Sequence, residues 1–459
     1  MKIARTLLLI LISIPALAQA PGEDRVMGWF RAFNSGSAET MEAFVRANYT
    51  PAAQQRRTPE ERKAIYDQLR AAHGNLEPAD VVTSPEGLNV DVKPERGERL
   101  GFRFTIDSAP PHLLGGVGIF AGGGREPAAQ LPPLSIPKNA TREQIAAALE
   151  PYIRNFAARD EFAGSVLVAK NGEVLFENAY GLASRRYGAP NKITTRFNVG
   201  SITKSFTKTA VAQLVEAGKL ELDAPVITYL PNYPNKEVAR KITVRQLVDH
   251  TSGLGDIFTK RFWETNTMRF RTLRDFIDFF AGDPLQFEPG KGKQYSNYGY
   301  VVLGAVIEAA SGEDYFDYIQ KHVFDAAAMR GSGFFDVRKP VPDVALGHTR
   351  NLPDGGKSNE WLETRSAFER GVPAGASFSP VRDLLLFDRA LRAGKLVNEH
   401  GTRWYFGGDP NGTDIYAGGL PGVNGAVASD GTWTVVVLTN IDPPTGENLA
   451  EHIYGVLTR

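Results

Sequence analysis

A hairpin signal stands near each end of the stretch 141–459, and this pair limits the possible folds more than any other feature. Ser165–Lys170 and Val174–Ala179 flank Asn171 and Gly172, a dipeptide suited to a two-residue turn that follows the twist of its strands. Ala426–Ser429 and Thr432–Thr439 flank Asp430 and Gly431 in the same way. Strand pairs this far apart, with a long helical middle between them, predict one antiparallel sheet completed by the two ends of the stretch. Amphipathic helices read from Thr141 to about Arg159 and from about Gly446 to Leu457 supply apolar faces to flank it. The fold class is therefore α/β in the α+β sense, an antiparallel sheet flanked by helices with an all-helical part, preceded by a small α+β domain.

That preceding domain is read over residues 22–120. Val26, Phe30 and Phe33 recur at helical spacing, as do Met41, Phe44 and Val45. Thr58, Pro59 and Glu61 predict an N-cap, a first-turn proline and a capping-box glutamate for a helix ending near Gly74. Leu100, Phe102, Phe104 and Ile106 alternate with Gly101, Arg103 and Thr105, the period of a half-buried strand. In element order the domain resembles the cone-shaped accessory domains of the nuclear transport factor type. Gly116, Gly118 and Ala121 match a relaxed dinucleotide fingerprint, but a Gly/Pro-rich stretch follows where a helix would have to begin. Residues 121–140, with Gly122, Gly123, Gly124, Pro127, Pro132, Pro133 and Pro137, read as a linker.

Residues 1–18 read as a signal peptide, with Lys2 and Arg5 ahead of a short apolar run and small residues at Ala16 and Ala18. The run is too short for a membrane anchor. The expectation is an exported protein, periplasmic or extracellular, without a stable membrane anchor. The chain contains no cysteine, so its core rests on packing rather than disulfides. With 52 basic and 52 acidic residues, nothing suggests nucleic acid as a partner. The seven histidines show no metal-ligand spacing, and neither a metal nor a cofactor is implied.

A serine and a lysine three residues apart share a face only on a helix. Three such pairs occur: Ser135 with Lys138, Ser201 with Lys204, and Ser205 with Lys208. The first has Pro137 between its partners, which disfavours a helix. Ser201 follows Gly200 and opens a helix with Ile202, Phe206, Val211, Leu214 and Val215 on its apolar face, ending near Gly218. A helix start offers free N–H groups to a developing oxyanion. Ser205 lies one turn inside and is expected to line the site rather than to attack.

The segment "FNVGSITKSF" (Phe197–Phe206) resembles the nucleophile motif of the class C β-lactamase and penicillin-binding protein superfamily. "LVDHTSGLGD" (Leu247–Asp256), "FEPGKGKQYSNYGYVVLG" (Phe287–Gly304), "PAGASFSPVRDLLLF" and "GGLPGVNG" resemble its later motifs in the right order. The resemblance covers about residues 140 to 459 and implies a β-lactamase/transpeptidase-like fold and acyl transfer through a serine. It implies Ser201 as nucleophile, Lys204 beside it, Tyr295 as the group that takes the serine proton and later activates water, and Asn297 orienting Lys204 and the substrate. The backbone N–H groups of Ser201 and Gly419 would form the oxyanion hole. A tyrosine base must titrate well below its ordinary value near 10, and an adjacent Lys204 ammonium is the expected cause. His250 is expected to make a structural hydrogen bond.

The third motif departs from the family pattern. Where lysine, histidine or tryptophan is usual, the chain has Tyr416, followed by Ala417 and Gly418. Tyr416 and Gly418 are then the expected substrate-binding residues, and a tyrosine lacks the charge that a carboxylate-bearing antibiotic needs. An aromatic here is similar to the family VIII carboxylesterases. The implied substrates are small esters, D-amino-acid peptides or β-lactams, and the competing reading is a penicillin or peptidoglycan sensor with little turnover.

Overall fold

The computed structural model describes residues 22–459 apart from 56, 85–86, 97–99, 108–109, 122–130, 353–355, 365 and 408–411. The signal-peptide reading of 1–18 and the first part of the 121–140 linker lie outside the described residues. The chain divides into two units, Met1–Gln130 and Leu131–Arg459.

In the first unit, helices Glu23–Asn34, Ala38–Asn48 and Pro59–His73 precede four antiparallel strands, Leu76–Ser84, Gly87–Pro94, Leu100–Ile106 and Leu114–Ala121, paired in sequence order. The capping box forms as read: Glu61 N–H donates to Thr58 Oγ1 at 3.2 Å and Thr58 N–H donates to Glu61 Oε2 at 2.8 Å. Trp29, Phe30 and Phe33 on one helix face meet Phe102 and Phe104 on one sheet face, all buried. Gly116, Gly118 and Ala121 lie within the last strand, so no phosphate-cradling turn is built there.

The second unit contains the predicted sheet. Its five strands run in the order Asp414–Leu420, Val423–Ser429, Trp433–Thr439, Gly164–Lys170, Glu173–Tyr180, every neighbour antiparallel. The two hairpins join through Trp433 opposite Lys170 and Thr439 opposite Gly164. Asn171 and Gly172 make the first turn with φ of 50° and 77°, a left-handed pair that asparagine and glycine tolerate.

Alternation along the strands splits the core into two layers. Val166, Val168, Ala426, Ala428, Val435 and Val437 face helices Arg142–Ala158 and Thr445–Leu457. Leu131, Leu134 and Ile136 pack on this layer as well, so residues 131–140 belong to the second unit rather than acting as a free linker. On the opposite face Leu167, Val427, Val436 and Leu438 meet the helix Thr203–Glu216 and the helical part beyond it. This helix is buried on nearly every side, polar residues included. The amphipathic reading is corrected accordingly: Thr203 Oγ1 lies 2.7 Å from Ser377 Oγ, and Thr207 Oγ1 lies 2.7 Å from Tyr315 Oη and donates to Pro373 O at 2.8 Å. Internal hydrogen bonds replace the water that its polar face lacks.

Candidate active site

Ser201 sits in a single 3₁₀ turn, Gly200–Ile202, from which the helix Thr203–Glu216 continues. The turn is anchored from outside the helix, with Val199 N–H donating to Ser377 O at 2.9 Å and Phe197–Asn198 paired to Phe378–Ser379. Gly200 has φ of 52°. A Cβ on Gly418 would lie 2.2 Å from Val199 O and 2.7 Å from Ser201 N. Only a glycine there lets the edge strand press its backbone against the serine turn.

Lys204 is 7% exposed, and its ammonium nitrogen has three oxygen neighbours. It donates to Ala374 O at 2.5 Å and to Asn297 Oδ1 at 2.7 Å, and lies 3.3 Å from Ser201 Oγ. Burial brings Lys204 down to about 7, opposed by the charge of Asp256. A neutral amine has two N–H bonds, and the two shorter contacts use both. Its lone pair then faces the serine hydroxyl, the geometry of a proton acceptor.

Tyr295 and Asn297 arrive together at the start of another helix, Asn297–Ser311. Ser296 is its N-cap, accepting from Gly299 N–H at 2.8 Å, and Asn297 is its first residue. Ser296 also donates to Gly255 O at 2.6 Å, tying this helix start to the 247–256 turn. Tyr295 Oη donates to Ser201 Oγ at 2.7 Å. The expected lowering of its titration is not found: packing around the hydroxyl pushes it up to about 12, although the side chain as a whole is 48% exposed, with the Ser201 hydrogen bond a smaller opposing influence. The expectation assumed a fully charged lysine alongside, whereas burial lowers Lys204 itself to about 7 and so weakens that charge.

Asp256 completes the arrangement and was not singled out from the sequence. It accepts Asn297 Nδ2 at 2.9 Å and 3.2 Å through its two oxygens, and Phe258 N–H at 3.0 Å. The amide of Asn297 is thereby turned so that its oxygen faces Lys204. Ala374 contributes only a carbonyl, which no side-chain motif reveals.

The other sequence candidates are placed as follows. His250 accepts Ser296 N–H at 3.2 Å through Nδ1 and lies tilted against Tyr295, ring centroids 4.6 Å and planes 31° apart. Burial, with Lys204 nearby, brings it down to about 3, so it stays neutral and supports the tyrosine. Ser135 and Lys138 lie in irregular backbone. Ser205 is buried and does not line the Ser201 pocket, a correction to its expected place; Lys208 donates to Tyr405 O at 2.6 Å.

A pocket of about 240 Å3 opens onto Ser201, lined by Tyr295, Asn297, Phe258, Phe368, Gly419 and Leu420 among others. Tyr416 and Gly418, expected to bind substrate, do not line it. Gly418 abuts the serine turn and Tyr416 packs against the main core. Tyr416 Oη is buried and has no hydrogen-bond partner among the described residues. Among the described residues no group of acidic and histidine side chains could hold a metal ion, and no helix is long and apolar enough to cross a membrane.

An antiparallel sheet whose edge strand presses on a serine–lysine helix, met by a tyrosine and an asparagine from the helical part, defines the β-lactamase/transpeptidase-like class of proteins. The chain belongs to the β-lactamase family, whose model matches residues 149–458. It is 30% identical over 298 residues to the penicillin-binding protein PbpX of Bacillus subtilis, covering 65% of this chain and 71% of that protein. It is 34% identical over 274 residues to the esterase EstB of Burkholderia gladioli, covering 56% of this chain and 67% of EstB. The crystal structure of a penicillin-binding protein from Bacillus halodurans superposes with a TM-score of 0.58 at 28% identity, over 67% of this chain and 98% of that one.

Proposed function

We propose that this protein is a serine hydrolase that cleaves carboxylic esters through an acyl-enzyme on Ser201. The observation that carries the reading is the placement of Lys204 Nζ, whose two donor bonds are taken by Ala374 and Asn297 while its third neighbour is Ser201 Oγ. Ser201 Oγ bonds to the substrate carbonyl carbon as its proton passes to Lys204. The backbone N–H groups of Ser201 and Gly419 receive the oxyanion. As the carbon–oxygen bond to the alcohol breaks, the alcohol takes that proton from Lys204, while Tyr295 Oη, which donates to Ser201 Oγ, remains a hydroxyl throughout. Water then attacks the acyl-enzyme with the same groups reversing their roles.

Esters are favoured over carboxylate-bearing β-lactams and peptides because no cation is among the described residues lining the Ser201 pocket. The similarity to EstB points the same way. Export follows from the composition of residues 1–18, and N-terminal sequencing of the secreted protein after Ala18 checks it.

The test is fluorophosphonate labelling with peptide mapping, together with turnover of p-nitrophenyl acetate. The expected adduct is on Ser201, and Tyr295→Phe should keep the label while losing roughly 10²–10⁴-fold in turnover. A wild-type protein that labels on another residue overturns the assignment. Labelling at Ser201 without turnover of any ester, D-amino-acid peptide or β-lactam establishes the sensor reading instead.

A further inference from the structure

A second cavity of about 690 Å3 adjoins the Ser201 pocket, and Phe258, Phe368, Ala376 and Leu420 line both. Its volume is that of a site for a small organic molecule. Six aromatic rings stand among the aliphatic and small polar residues of its walls. Trp263 stacks on Phe258 with centroids 5.6 Å apart and planes 12° apart, and Phe335 lies against Phe378 at 5.8 Å. Trp263 is nonetheless 55% exposed, an indole whose partner on one side is solvent. The charged residues of the lining are mostly neutralised in place: Lys192 pairs with Asp343 at 3.2 Å and Asp336 with Arg338 at 2.8 Å. Lys339, also on the lining, is exposed.

The chemistry at Ser201 decides which part of a substrate reaches this space. The departing alcohol has to remain within reach of Lys204 to receive its proton. None of Ser201, Lys204, Tyr295 and Asn297 lines the larger cavity. With the leaving oxygen held toward Lys204, the group on the other side of the carbonyl carbon is the one placed to extend past Phe258, Phe368 and Leu420.

Resting on the hydrolase reading above, we infer that the 690 Å3 cavity is an acyl-arm site, and that the preferred substrates are esters of apolar acids of roughly six or more carbons, aliphatic or aromatic. Each methylene withdrawn from water there is worth roughly fourfold in kcat/KM. The rings offer shape and dispersion contacts but no paired charge for a polar acyl group.

The experiment compares kcat/KM for p-nitrophenyl acetate, butanoate, octanoate and dodecanoate, each below its critical micelle concentration. The expected result is at least a tenfold rise from acetate to octanoate in the wild type. Ala367→Trp and Val341→Trp each put an indole at a residue that lines the cavity. Both should cut the octanoate-to-acetate ratio at least tenfold, and use of a ratio removes any loss of folded protein from the comparison. A flat or falling chain-length series with acetate still hydrolysed overturns the acyl-arm site and leaves the hydrolase reading standing. An unchanged ratio in both variants overturns it too, as does a filling effect seen only when the apolar chain is moved to the alcohol, in octyl against ethyl acetate. Absence of turnover on every ester removes the hydrolase reading and the acyl-arm site with it.

Discussion

The carboxylate of Asp256 holds the amide nitrogen of Asn297 at 2.9 Å and 3.2 Å, and so points the Asn297 oxygen at Lys204 Nζ, 2.7 Å away. A carboxylate accepts only, which leaves the asparagine one orientation. Asp256 acts through Asn297 and as a charge. Asp256→Asn should lower kcat by about 10²-fold, the cost of a misplaced proton acceptor. Its pH profile supplies the sharper readout. The charge of Asp256 raises Lys204, so its removal should move the acid limb of kcat/KM to lower pH, a shift that a merely structural role would not produce.

Lys204 titrates near 7 because burial disfavours its charge. Esterase activity should therefore fall as pH drops through about 7, where the amine gains a proton and can no longer accept one from Ser201. Lys204→Arg carries a cation at every accessible pH. It should lose roughly 10²–10⁴-fold in kcat/KM and show no recovery up to pH 9, measured with p-nitrophenyl acetate against a no-enzyme blank. Recovery at high pH would show that another group takes the serine proton.

Gly418→Ala tests the close approach of the edge strand. The added methyl would lie 2.2 Å from Val199 O and 2.7 Å from Ser201 N, contacts that only a shift of the strand can relieve. The expected cost is about 1–3 kcal/mol of stability, read by urea unfolding. Fluorophosphonate labelling should slow as well, because the displaced strand carries Gly419 with it.

Phe206 anchors the nucleophile helix from beneath. It is fully buried, edge-on to Phe324 at 5.0 Å and to Phe387 at 4.8 Å. Phe206→Ala should cost about 3–5 kcal/mol and lower the urea midpoint of the second unit with little change in slope.

Much of this architecture follows from local patterns. The Asn171–Gly172 turn and the Thr58 capping box are statements about neighbours within a few residues and form where the sequence places them, whereas the Asp430–Gly431 turn is longer than read, with Ser429 opposite Thr434 and four residues between them. The glycine-bearing strand Leu114–Ala121 was not legible, because its pairing with Leu100–Ile106 depends on a partner rather than on its own pattern. Likewise the helix Thr203–Glu216 has the hydroxyls of a solvated face, and only packing shows that they bond to Ser377, Tyr315 and Pro373.

The sequence by itself determined that Ser201 and Lys204, three residues apart, share a helical face, since that spacing acts within one turn. Tertiary structure alone decided which protonation each group favours. Burial costs an isolated charge far more than a hydrogen-bonded hydroxyl, so packing sends Lys204 down and Tyr295 up. It also decided that Asp256 aims Asn297, that the Ala374 carbonyl completes the lysine's neighbours, and that Tyr416 turns inward to the core while Gly419 and Leu420 face the pocket.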